Sequence, residues 1–190
     1  LYRYSGKYYG LPVSESYYMM FYRKDILDEL GIKPPNTWRD FNNTLVTLQR
    51  NHLTVAVPSP DSEVDESTGG VQFAMLETLL LQYGGNYYGD QWWKSGLKTK
   101  EALDAFKQIT DYFVKYSVPT TYNFYSRFRT GEIAIGIQRY SMYNQLMVAA
   151  PEIRGLWEMA PIPALEKADG SLDRSVSAIG NSIVMFNTTK

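Results

Sequence analysis

The sequence predicts an α/β fold, a mixed sheet flanked by helices. Three observations carry this. Short apolar runs of strand type alternate along the chain with segments whose apolar residues recur every three or four positions, the pattern of a layered α/β domain. Some connections between the strand-like runs are too short to hold a crossover helix, so the sheet has to be mixed. The 190 residues are 44% hydrophobic and 21% charged, an ordinary balance for a chain that buries a core. No internal repeat or low-complexity tract interrupts it.

In order, residues 8–23 (YYGLPVSESYYMMFYR) read as two extended runs around a polar break. Gly10 and Pro12 disfavour a helix, and Ser14, Glu15 and Ser16 interrupt the apolar run, as a turn or as a crossing between lobes. Residues 17–22, aromatic or Met throughout, suit a strand buried on both faces. Residues 24–30 predict a short helix, with Gly31 at its C-terminal end and Pro34–Pro35 preventing continuation. Thr37 is placed to cap a second helix with Asp40 reaching back, and Trp38, Phe41, Leu45 and Leu48 repeat on one face. A short β-branched strand over 54–57 ends at Pro58.

The acidic run 59–70 predicts a solvated loop. Its carboxylates Asp61, Glu63, Asp65 and Glu66 partly imitate a calcium loop, but Glu66 stands where glycine is needed and Gln72 where a bidentate Glu is needed. Residues 71–83 predict a buried helix stopped by Gly84–Gly85, followed by an aromatic loop over 86–93. Thr99 caps a long helix to Tyr116, with Leu103, Phe106, Ile109 and Phe113 as its inner stripe and Lys115 suiting its dipole. Phe124 and Phe128 lie on one helical turn that ends at Thr130–Gly131. Ile133, Ile135 and Ile137 then alternate with Ala134, Gly136 and Gln138, a strand with a bulky and a small face. Gly136 removes a side chain where something must approach closely. Residues 140–150 predict helix, 156–162 an extended run, 166–173 a hairpin-like loop around Asp169–Gly170, and 176–186 a last strand or strand pair.

Several function classes lack support. Nineteen basic against 20 acidic residues give a net charge of −1, so there is no basic face for nucleic acid. No run of about 18 apolar residues exists to span a membrane as a helix. The absence of cysteine excludes disulfides, thiolate metal sites and a cysteine nucleophile. His52, the single histidine, follows a surface-type helix, outside any G-x-S-x-G context. No phosphate-cradling glycine motif is present. Glu15 and Glu132 are carboxylates without a glycosidase-like pairing, and Glu132 reads as a surface or capping group. These features predict a non-enzymatic chain with no metal and no cofactor. The chain starts at Leu1 without a signal-peptide pattern, so an excised piece with targeting information upstream is expected.

Binding is what remains. Sixteen tyrosines bring the aromatics to 15%, and tyrosine suits surfaces that are half dry and half wet. Aromatic faces stack on the apolar faces of sugars while amides and carboxylates pair with hydroxyls. Two places at strand ends carry both ingredients: Ser14, Glu15, Ser16 and Tyr17 in one, and Gln138, Arg139 and Tyr140 in the other, with Tyr143 a turn beyond. Arg139 also suits an acidic sugar or another anion.

Several stretches resemble family 1 extracellular solute-binding proteins, the maltose-binding-protein-like group. They are Tyr9-Gly10-Leu11-Pro12, Tyr22-Arg23-Lys24-Asp25, Pro35-Asn36-Thr37-Trp38-Arg39-Asp40-Phe41, the run from Phe128 to Ile137, and the run from Gly155 to Pro163. NFYSRFRTGE and APEIRGLWEMAPIP look most like the large lipoprotein members on Gram-positive cells. The resemblance implies a periplasmic-binding-protein type II-like fold, mostly its second lobe. Residues 1–12 would be the exit from the first lobe, 13–158 the second lobe, and 159–190 the return hinge and part of the first. It implies an extracellular or periplasmic receptor that passes a sugar or oligosaccharide to the permease subunits of an ABC importer, with membrane attachment only through a lipid anchor outside this chain. A carbohydrate-active enzyme or accessory module, or a sensory receptor of the same fold, is the alternative. Many sugar receptors carry G-x-W after the strand that ends here at Gln138. In its place stands Gln138-Arg139-Tyr140-Ser141-Met142-Tyr143, so Tyr140 or Tyr143 would take over the ring's role.

Overall fold

The computed structural model describes residues 2–58, 64–65, 70–71, 74–89, 91, 93–186 and 188. A small hairpin, β1 (Arg3–Tyr4) with β2 (Lys7–Tyr8), precedes the long strand β3 (Leu11–Arg23). Then follow α1 (Lys24–Glu29), α2 (Trp38–Arg50), β4 (Thr54–Ala56), the short pair β5 (Val64–Asp65) and β6 (Gly70–Val71), α3 (Ala74–Gln82), α4 (Lys100–Val114) and α5 (Phe124–Arg129). The chain continues through β7 (Ile133–Arg139), α6 (Met142–Ala149), a 3-10 turn at Pro151–Ile153, β8 (Trp157–Ala160), the hairpin of β9 (Leu165–Glu166) and β10 (Leu172–Asp173), and β11 (Ala178–Ile183).

The principal sheet is mixed, as the short connections require: β4 and β7 run parallel, while β3 is antiparallel to β7, β8 and β11. No turn forms at Ser14-Glu15-Ser16. They lie inside β3, where Ser14, Glu15 and Ser16 face Asn181, Gly180 and Ile179 of β11. From Met20 to Tyr22, β3 changes neighbours and is flanked by β7 on one edge and β8 on the other.

Each face of the sheet carries its own core. Met20, Tyr22, Ile135 and Ile137 pack with Trp38, Phe41, Leu45 and Leu48 of α2, Leu79 of α3 and Ile109 of α4. On the other face Phe21 packs with Phe124 and Phe128 of α5, Leu146 of α6, Ile153 and Trp157. The site of close approach at Gly136 belongs to this second core. A Cβ there would lie 2.0 Å from Phe124 Cε2.

Local chemistry sets the element ends. The Thr37 hydroxyl accepts from Asp40 N at 3.1 Å, and Asp40 Oδ2 accepts from Thr37 N, closing the expected capping box of α2. Thr99 caps α4 with its side chain alone, accepting from Ala102 N at 3.3 Å. Buried Arg23 grips Asp25 through Nε and Nη2 and donates from Nη1 to the carbonyls of Phe128 and Arg129 at 3.0 and 3.3 Å. It thereby satisfies the C-terminal carbonyls of α5, where a cation is also favoured by the helix dipole. Buried Gln82 accepts from Trp38 Nε1 and donates to the carbonyls of Pro163 and Ser175, tying the β9–β10 hairpin to the helices.

Some sequence expectations shift. The inner face of α4 is Ala102, Ala105, Ile109 and Tyr112, whereas Leu103 and Phe106 are exposed. The alanines permit close packing against α3, and the larger residues are turned aside. Ile133 lies in the Phe21 core rather than with Ile135 and Ile137, and Ala134 in the opposite one. The register against β4 slips between Thr54 and Val55, so Ala134 is an extra residue that reverses the alternation. Helix α3 starts at Ala74, and Val71 pairs in β6 instead of entering it. Helix α6 begins at Met142, with Tyr140 and Ser141 left in the turn before it. Of the acidic run, Asp65 lies in β5. Asp61, Glu63 and Glu66 lie outside the described residues, as does Gln72.

Candidate ligand site

Where β4 and β7 run parallel, their carboxyl ends open on the same side, and in open α/β sheets this is where ligands bind. β7 reaches that end at Gln138-Arg139, opposite Met19 and Tyr18 of β3. Tyr140 N then donates to Tyr17 O at 2.9 Å, extending the pairing one step past the strand.

Four aromatic rings adjoin there. Tyr17 and Tyr140 stack at 5.7 Å and 19°, and Tyr140 and Tyr143 at 6.0 Å and 2°. Tyr143 meets Trp157 edge-on at 5.9 Å. Trp157 is buried and packs against Phe21 and Phe128, so the row of rings is rooted in the core. Its outer end is open: Tyr140 is 38% exposed. The sequence builds this locally. Tyr17 and Tyr140 sit at paired positions across two strands, and the turn bond from Tyr143 N to Tyr140 O at 3.0 Å brings the third ring alongside.

The predicted residues divide by strand alternation. From Tyr18 to Tyr22, even-numbered residues of β3 enter the α2–α4 core and odd-numbered ones pack on the α5–α6 side. Continued back along β3, the alternation puts Glu15 on the face of Tyr17, together with Gln138, Tyr140 and Tyr143. Ser14, Ser16 and Arg139 fall on the opposite face. The Arg139 guanidinium lies over the Tyr18 ring at 5.2 Å, Ser14 Oγ accepts from Asn181 Nδ2 at 3.3 Å, and Ser16 Oγ is shut off from solvent. One row of candidates thus wraps the sheet's end on two faces.

Tyr122 is a residue that sequence reasoning did not select. Its hydroxyl donates to Val57 O at 3.0 Å and accepts from Gln138 Nε2 at 3.5 Å, linking the ends of β4 and β7. Its sequence signal is its place in the aromatic run Tyr122-Asn123-Phe124-Tyr125. Trp157, read as part of an extended run, is the ring that anchors Tyr143. Glu132 pairs with Arg127 at 3.2 Å, a surface ion pair. His52 sits exposed in the turn after α2 with φ of 58°. Among the described residues no three His, Cys, Asp or Glu side chains gather to hold a metal ion, and no helix is long and apolar enough to cross a membrane. The arrangement sets aromatic rings on the same sheet face as a carboxylate and an amide, groups complementary to a molecule having both C–H faces and hydroxyls.

The profile of the bacterial extracellular solute-binding protein family matches residues 1–190. A putative binding protein of Brucella abortus is 27% identical over 198 residues, covering 97% of this chain and 44% of that protein. The arabinooligosaccharide-binding protein of Halalkalibacterium halodurans is 23% identical over 201 residues, covering 100% of this chain and 42% of its own length. The chain thus spans less than half the length of these curated relatives. Among solved structures, the sugar-binding protein MalE from Xanthomonas citri aligns with a TM-score of 0.75 at 20% identity, over 100% of this chain and 47% of that one. Maltose-bound MalE3 of T. maritima aligns at 0.73 and 21% identity, over 95% and 46%. The shared fold is that of type II periplasmic binding proteins. With its whole length matched, the chain belongs to the bacterial extracellular solute-binding protein family.

Proposed function

We propose that this chain supplies one wall of the ligand cleft of an extracellular receptor that binds a sugar or oligosaccharide and delivers it to an ABC importer, without chemical turnover. The observation that carries this is the Tyr17–Tyr140–Tyr143 row at the carboxyl ends of β4 and β7. Stacked rings present a broad apolar platform to pyranose faces, and Glu15, Gln138 and Tyr122 supply polar partners for hydroxyls. Ser14 and Arg139 would meet the ligand around the end of the sheet, while Ser16, its hydroxyl shut off from solvent, stands behind them. Relatives named for arabinooligosaccharides and for melibiose, raffinose and stachyose support a saccharide ligand.

Residues 13–158 form the second lobe in this reading, with 1–12 and 159–190 leading to and from the first. Two features support that division. Strand β3 is held by β11 up to Tyr17 and by β7 and β8 beyond it, as a strand passing between two bodies would be. Large apolar side chains also cluster exposed at that end: Tyr8, Leu11 and Val13 beside Ile183, Met185 and Phe186, the last two 84% and 71% exposed. Such a patch on a soluble protein marks an interaction surface, here the contact with the other lobe. The permease subunits would engage the closed two-lobed form, and a lipid anchor outside this chain would hold it at the cell surface.

The test is calorimetric titration of the protein at its relatives' full length with maltose, raffinose and arabinooligosaccharides, repeated with Tyr140→Ala. Saturable binding of one saccharide without product formation is expected, weakened about 10–100-fold by the substitution, since a stacked ring at a binding centre is worth ~1.4–3 kcal/mol. The 190-residue chain alone should bind the same ligand far more weakly, lacking the second wall. Hydrolysis of the saccharide, or full affinity in Tyr140→Ala, would overturn the proposal.

A further inference from the structure

We infer that the apolar groove between α3 and α4 binds a single-chain anionic amphiphile, a long-chain monocarboxylate, at a site apart from the tyrosine row. The groove has a volume of about 630 Å³, within the range of small-molecule sites. Leu76 and Leu80 line it from α3, and Leu103 and Phe106 from α4.

The groove follows from two kinds of apolar residue on α4. Ala102 and Ala105 are buried and let α4 sit close to α3, while Leu103 and Phe106, 50% and 54% exposed, stand beside that contact. Leu76 and Leu80 lie one turn apart on α3, so both reach the same groove. The turn before α4 supplies one end. Leu97 N donates to Ser95 Oγ at 3.2 Å and the Thr99 hydroxyl donates to Gly96 O at 3.0 Å, which holds Leu97 and Lys98 at the helix start. Leu97 is 51% exposed. Three large apolar side chains thus border one concavity and remain open to a ligand. Exposed apolar residues grouped in this way mark an interaction site, where a scattered one does not.

Charge specifies the head of the ligand. Lys98 and Lys100 line the groove, with no carboxylate among its described lining residues. Lys100 is held by Asp104, whose side chain belongs to the α2 side of α4. Lys98 is exposed and forms no ion pair among the described residues. Both lysines stand at the N-terminus of α4, where the helix dipole also favours an anion. An apolar groove with ammonium groups at one end complements an apolar chain that carries an anionic head. The lysines disfavour a cation, and a sugar would leave the leucines and Phe106 uncovered. The groove is concave and of the size of one small molecule, so the occupant is a free amphiphile rather than a bilayer surface.

The experiment is calorimetric titration of the protein at its relatives' full length with dodecanoate, kept below its micellar concentration. Octanoate and dodecyltrimethylammonium are the companion probes, and phosphatidylglycerol vesicles test a lipid surface. Dodecanoate should bind one-to-one with a Kd of about 1–100 μM. Octanoate, shorter by four methylenes, should bind at least about tenfold more weakly, since each fully buried methylene is worth a factor of about four. The cationic amphiphile should bind more weakly than dodecanoate. Phe106→Asp should weaken dodecanoate binding about tenfold, and Lys98→Glu about fivefold while strengthening binding of the cation. Both positions are exposed, so both variants should keep the wild-type melting temperature. Absence of dodecanoate binding, equal or tighter binding of the cation by the wild type, or full binding by Phe106→Asp would overturn the inference. So would binding to the vesicles without binding of dodecanoate. Binding by the 190-residue chain that is lost at full length would assign the groove to the rest of the protein and overturn it too. The three amphiphiles compared on the wild type decide the matter even if a variant fails to fold.

Discussion

Replacing Arg23 with Met tests what holds the aromatic side of the sheet in place. The side chain is 9% exposed and its guanidinium makes four hydrogen bonds, two to Asp25 and one each to the carbonyls of Phe128 and Arg129. Met keeps the apolar stem and deletes the fork, so the loss reports the polar contacts rather than a cavity. Removing one partner of a buried ion pair costs about 3–5 kcal/mol. The Asp25 side chain is 33% exposed and recovers some hydration, which sets the expectation at the low end, about 3 kcal/mol. With a urea m-value of about 2 kcal/mol/M, the midpoint should fall by about 1.5 M. A second readout is independent of the first. Burial opposes ionisation of Asp25, yet the hydrogen bonds and charge of Arg23 hold its carboxyl below the ordinary value. Because the folded pKa lies below the unfolded one, Asp25 contributes stability above the unfolded value of about 3.9 and loses it as pH falls through the folded value. Arg23→Met should abolish that acid-side contribution and move the Asp25 titration upward. A midpoint shift below about 0.5 M, or an unmoved Asp25, would refute the clamp.

Two further outcomes follow from the same cores. Gly136→Ala would place a Cβ 2.0 Å from Phe124, whose ring is buried and stacked on Phe128 at 4.9 Å, so a loss of about 1–3 kcal/mol is expected in denaturant titration. Phe124→Leu in the same background should recover part of it, and a wild-type midpoint for Gly136→Ala would show that the ring yields freely. Burial, then the hydrogen bond to Glu158 and its charge, push the Tyr22 phenol up to about 12. Its contribution is complete below about pH 10, the unfolded value, and is lost as pH rises through the folded one. The alkaline limb of the stability profile should therefore flatten in Tyr22→Phe, and an unchanged limb would assign it to other groups.

Much of this protein is legible residue by residue because the determining physics is local. The capping box at Thr37 and Asp40, the 3-4 repeat of α2, the Asp169–Gly170 hairpin and the strand ending at Gln138 all depend on neighbours a few positions apart. The aromatic and amide residues of the candidate site were also readable as types at strand ends. Which of them act together was not, because that depends on pairings between distant segments. Tyr17 meets Tyr140 only because β3 and β7 pair in one register, and the same alternation turns Arg139 toward Tyr18 instead. The inner face of α4 was misread for a related reason: Leu103 and Phe106 are the more hydrophobic choice, but close packing against α3 selects Ala102 and Ala105. Sequence alone thus determined the layered α/β class, the helix caps and the tyrosine-rich strand ends. Tertiary structure alone decided the two-faced core, the bulge that reverses Ile133 and the anchoring of Tyr143 on Trp157, because long-range register and packing are set by the whole sheet.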